Sequence, residues 1–117
     1  MNTRPETLRA DLSQLAELLH EYGHDGQAAV VDEIVTTLET STPDYKRLAS
    51  IDMWGGSGAV WEVCLIPSAM RVARRADEIS FRNAIIRIAA AMDEMKIGTE
   101  RTRLIAKTFQ GWLDRGL

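Results

Sequence analysis

The chain predicts an all-α protein, an irregular bundle of about five helices with a glycine-rich loop in the middle of the sequence. Two observations carry that expectation. Apolar residues recur at alternating spacings of three and four in long stretches on either side of the centre, which is the period of one helix face. Glycine, proline and small hydroxyl residues punctuate those stretches where helices would stop or start.

The first helix opens on Thr3-Arg4-Pro5-Glu6, a capping box whose proline falls where first-turn amides have no intrahelical partner. Leu8, Leu12, Leu15, Leu19 and Tyr22 form its apolar stripe, and Gly23 is placed to end it in the left-handed conformation. Asp25 can cap a second helix with Val31, Ile34, Val35 and Leu38 inward, so the first two helices should form an antiparallel hairpin. Thr42-Pro43 predicts the start of a third helix carrying Tyr45, Leu48 and Ala49. The apolar run 59–66 fits helix or strand, and helix is preferred because a lone strand would have no sheet to join. Arg71, Arg74 and Arg75 facing Asp77 and Glu78 read as a solvated linker. Ser80 then caps a long central helix bearing Phe81, Ile85, Ile88, Met92 and Met95, stopped at Gly98. Thr99 caps the last helix. The expected core is Leu12, Leu15, Leu19, Val31, Ile34, Leu38, Leu48, Ile85, Ile88, Met92, Leu104, Ile105 and Phe109.

With 117 residues the chain should be one domain, 1–117, and its 45% hydrophobic content can build a core unaided. A net charge of −3 argues against nucleic acid as a partner. A lone Cys64 excludes an internal disulfide and points to a reducing cytoplasm. The charged N-terminus does not read as a signal peptide, and no apolar run is long enough to span a bilayer, so no membrane role is expected.

His20-Glu21-Tyr22-Gly23-His24 spells the zinc-binding pattern of many metalloproteases. Two imidazoles one helical turn apart can share a tetrahedral zinc, and the glutamate between them can act as general base for its water. Against that reading, Gly23 and Asp25-Gly26 mark the end of a helix inside or just after the motif, so both histidines are expected to be solvated and unmetallated. Gly55-Gly56-Ser57-Gly58 lacks the lysine of a phosphate-binding loop, and Cys64 sits among Val63, Leu65 and Ile66 like a buried, inert thiol.

The stretch from Ile51 to Ile66 is the least generic part of the chain. Over roughly residues 12–95 the chain resembles a family of small bacterial proteins of unknown function, whose pattern is a Leu-Leu helix, a Gly turn, an apolar helix and then Gly-Gly-x-Gly-Ser-x-Asn-Asp-Leu-Val-Leu. Leu18-Leu19, Gly23, Gly55-Gly56-Ser57-Gly58 and Val63-Cys64-Leu65 match it in order, and Asn83 opens the later helix. Ala59 replaces the serine and Trp61-Glu62 the Asn-Asp, which moves any functional carboxylate one methylene further out. The resemblance implies that Gly23 is a turn between helices, and it implies an immunity-type or other protein-binding role.

The residues themselves point the same way. Trp54 and Trp61 on either side of the glycine loop give rigid amphipathic anchors, with Asp52, Glu62 and the arginines at 71–75 as a polar rim. The expected site is therefore Asp52, Trp54, Gly55, Gly56, Ser57, Gly58, Trp61 and Glu62, on a non-enzymatic module that binds itself or another protein and needs no cofactor. A zinc-dependent hydrolase built on His20, Glu21 and His24 is the alternative.

Overall fold

The computed structural model describes residues 4–40, 44–55, 59–63 and 75–116, with the backbone alone described for residues 4–6 and 62–63. The described residues form α-helices α1 (Arg4–Glu21), α2 (Asp25–Leu38), α3 (Ile51–Trp54), α4 (Arg75–Glu94) and α5 (Glu100–Asp114), plus one 3₁₀ turn at Val60–Val63. No strand occurs among them, so the chain is an all-α bundle. No helix among the described residues is long and apolar enough to cross a membrane.

Helix α1 buries Leu8, Leu12, Leu15, Ala16, Leu18 and Leu19 and packs against both α2 and α4. Its end follows from Gly23, whose φ of 80° is one that β-carbon sterics deny to most residues. There the Gly23 amide donates to the His20 carbonyl at 3.1 Å and the His24 amide to the Leu19 carbonyl at 2.8 Å. This pair of bonds is a Schellman closure, and it terminates the helix before His24. Helix α2 starts at Asp25 itself. The cap position is His24, and Asp25 acts as a first-turn carboxylate facing the positive helix end rather than as the cap.

Helix α4 lies between α1 and α5 and buries Phe81, Ala84, Ile85, Ile88, Ala89, Ala91 and Met92. It begins at Arg75, so Ser80 is an interior residue and not its cap. The charged stretch read as linker is in part its first turn: Asp77 and Glu78 favour the helix N-terminus, and Arg75 pairs with Glu78 at 3.6 Å. Arg71 and Arg74 lie outside the described residues, as do Thr3, Thr42, Pro43 and Cys64. The helix stops at Glu94, earlier than Gly98 suggests. Lys96 takes the left-handed position at φ 63°, and the half-buried Ile97 amide reaches the Met92 carbonyl at 2.9 Å. Thr99 does cap α5: its hydroxyl accepts from the Thr102 amide at 3.1 Å, and the Thr102 hydroxyl accepts from the Thr99 amide at 2.9 Å.

Every expected core residue is buried except Leu104, which is 61% exposed. Helix α5 turns Thr102, Ile105 and Phe109 inward, and Leu104 falls on the opposite side of that stripe. The third helix also differs from expectation. Residues 46–49 form turns, with Leu48 buried, and the helix occupies only Ile51–Trp54. Residues 60–63 are helical in the tighter 3₁₀ form. This middle segment packs on α2 and reaches across to α5.

Candidate functional site

The stretch 47–55 is fastened by three long side chains. Arg47 donates to Asp52 at 2.8 Å and to Glu33 at 2.9 Å, tying α3 to α2. Trp54 donates its indole N–H to the Leu48 carbonyl at 2.8 Å, which closes the turn beneath it. Arg101, on the first turn of α5, donates Nη2 to the Gly55 carbonyl at 2.8 Å and Nε to the Trp54 carbonyl. These are the carbonyls a helix C-terminus leaves unpaired, so a cation from 46 residues away satisfies the end of α3.

The Gly55 carbonyl also accepts from the Trp61 indole at 2.6 Å. Trp61 is half-buried, with its ring 6.2 Å from Phe109 and the Arg101 guanidinium 5.7 Å from its ring centroid. Phe109 stacks on Trp112 at 5.2 Å, and Arg82 lies 5.2 Å from the Trp112 ring. The result is a continuous Arg–Trp–Phe–Trp–Arg ladder running from the loop across α5 to α4. Gly55 is fixed by crowding: a β-carbon there would stand 2.5 Å from the Ile51 carbonyl oxygen.

Beside this hub lies a small apolar cleft of about 100 Å³, bounded by Ala49, Ile51, Trp54, Gly55, Thr99 and Thr102. It is smaller than the roughly 300–1,000 Å³ of ordinary small-molecule sites. Ile51 stands at its lip, 83% exposed, although its neighbours Met53 and Trp54 are buried.

The expected site is thus only partly brought together at a surface. Trp54 is 3% exposed and belongs to the core, so it has no face to offer a partner; this corrects its reading as an anchor. Asp52 is an exposed tether for Arg47, Gly55 is the acceptor at the hub, and Trp61 is the surviving aromatic. Gly56, Ser57 and Gly58 lie outside the described residues, as does the side chain of Glu62. Ile51 and Arg101 escaped the sequence reading. The first could have been noticed as an apolar residue starting a charged turn, whereas nothing local to Arg101 predicts where it reaches.

The histidines do not converge. His20 Nδ1 lies 3.3 Å from Asp25 and Nε2 lies 3.0 Å from Asp32, so its two ring nitrogens serve separate carboxylates on α2. Only an imidazolium can donate both bonds, and the bond to Asp32 first, then that to Asp25, raises its pKa above the ordinary 6.5. His24 lies beyond the Schellman closure. It is half-buried rather than exposed as expected, and its Nε2 is buried with no partner among the described residues. Among the described residues, no three His, Cys, Asp or Glu side chains are arranged to hold a metal.

Comparison with known protein families, with curated proteins and with solved structures finds no match for this chain. The fold and the site therefore define a class, an all-α bundle with an arginine-capped loop beside an apolar cleft, and the functional reading rests on that geometry.

Proposed function

We propose that the chain is a non-enzymatic protein-binding module whose contact ledge is formed by Ile51, the exposed edge of Trp61 and the Arg101 guanidinium. The observation that carries this reading is Ile51: a large aliphatic side chain 83% exposed beside an apolar cleft, on a segment otherwise tightly fastened. Exposed apolar side chains on rigid supports, rimmed by charge, are the usual make-up of protein contact surfaces. Asp52, on α3, accepts from Arg47 at 2.8 Å and serves the segment as a tether. Within this reading an immunity-type role in the cytoplasm, one protein binding another to restrain it, is the form implied by the resemblance to the small bacterial family.

The test is co-purification at native expression, comparing wild type with Ile51→Glu and Trp61→Ala, and with Arg47→Met as a control for loosening the segment. A bound protein lost from Ile51→Glu, with the helical circular dichroism unchanged, supports the ledge. Equal recovery of the same proteins with all variants would overturn it.

A further inference from the structure

Helix α5 carries a second outward surface, and its pattern is self-complementary. Leu104 and Ile51 are the two exposed large hydrophobics among the described residues. Leu104 lies on the outer stripe of α5 with Glu100, Lys107, Gly111, Asp114 and Arg115, opposite the buried Thr102, Ile105 and Phe109. Gly111 needs explaining. Glycine is a poor helix residue, yet a β-carbon at this position would meet nothing within 4 Å among the described residues, so no packing they make requires it. An open glycine two turns from an exposed leucine forms a hole on the same stripe as a knob.

From this pattern we infer that α5 is the seat of a symmetric homodimer, two copies of the helix packing antiparallel about a two-fold axis that passes between Lys107 and Thr108. That axis sets Leu104 of each copy opposite Gly111 of the other, so the leucine enters the space the glycine leaves. The same register sets Glu100 opposite Arg115, and the two-fold repeats the pair, so opposite charges meet at both ends of the contact. The leucine entering the glycine gap and the glutamate meeting the arginine are satisfied by one and the same register. Lys107 flanks the axis, where its long side chain reaches solvent past the contact. The helix is about 22 Å long, so the contact is small and the dimer is concentration-dependent.

This inference deepens the protein-binding reading by naming a second copy as one partner, on a face distinct from the Ile51 ledge. Sedimentation velocity from micromolar to millimolar protein at low salt tests it. Wild type should pass from monomer to dimer, and Leu104→Lys should remain monomeric with unchanged helicity. Glu100→Arg alone sets arginine against arginine, and Arg115→Glu alone sets glutamate against glutamate. Each should move the transition to roughly tenfold higher concentration, because every pair occurs twice across the axis. The double variant restores opposite charges and should bring the transition back; melting curves of each variant at monomeric concentration separate this rescue from effects on the single chain. A wild type that stays monomeric throughout would overturn the proposal, as would a dimer indifferent to Leu104→Lys and to the charge exchange. Neither result touches the ledge, whose own test is the capture lost from Ile51→Glu.

Discussion

His20 shows how much a single side chain here depends on its neighbours. Its ring is half-exposed, yet both nitrogens are engaged by carboxylates of the next helix. Because the folded pKa is raised, the bonds add stability that is fully present below the unfolded value of 6.5 and is lost as pH rises through the folded value. We predict that His20→Gln is less stable than wild type between the carboxylate range, near about pH 4, and 6.5, and that the gap closes at alkaline pH; urea melts across that range measure it. A gap that widens with pH would refute the assignment. The two end residues of α3 make the opposite contrast. Trp54→Ala removes a buried indole and its bond to the Leu48 carbonyl, and should cost about 3–5 kcal/mol. Ile51→Ala, four-fifths exposed, should stay within about 0.5 kcal/mol of wild type. Equal losses in chemical denaturation would mean that the burial pattern of α3 is wrong.

The helices are held as much by their ends as by their stripes. Thr99 and Thr102 exchange side-chain-to-backbone bonds at the start of α5, and Thr99→Ala should cost about 0.5–2 kcal/mol. At the end of α4 the left-handed site is filled by Lys96, a residue whose β-carbon is strained there. Lys96→Gly is therefore predicted to stabilise the protein by about 0.5–1 kcal/mol. A thermal midpoint that falls in Lys96→Gly, or is unmoved in Thr99→Ala, would show that these ends are looser than their hydrogen bonds indicate.

For the molecule as a whole, the helices pack in the order α2, α1, α4, α5, and the middle segment bridges the two outer members. Arg101 is the bridge: one side chain serves the carbonyls of Trp54 and Gly55 and covers Trp61. Its replacement by methionine keeps much of the apolar stem and removes the donors, at a cost of about 1–3 kcal/mol for charge-assisted bonds. The effect should be regional. Hydrogen exchange in Arg101→Met is predicted to speed up at the Met53, Trp54 and Gly55 amides while α1 and α2 keep their protection. Uniform acceleration through all helices would mean that the bridge is part of the global folding unit.

What the sequence by itself determined is whatever depends on residues three or four apart. The stripes of α1, α4 and α5, the turn at Gly23 and the Thr99 cap all follow from spacing and from the conformations single residues allow. Only the tertiary structure decided which of two neighbouring apolar residues is core and which is surface. Trp54 is buried because Leu48 and the Arg101 contacts enclose it, and Ile51 is exposed because α3 has no partner on that side among the described residues. The same holds for Leu104, whose neighbour Ile105 takes the inward position, and for His20, whose carboxylates come from the following helix. In each case the deciding contact comes from another helix or from a loop folded back on the bundle, and local periodicity carries no information about which groups will meet across that distance.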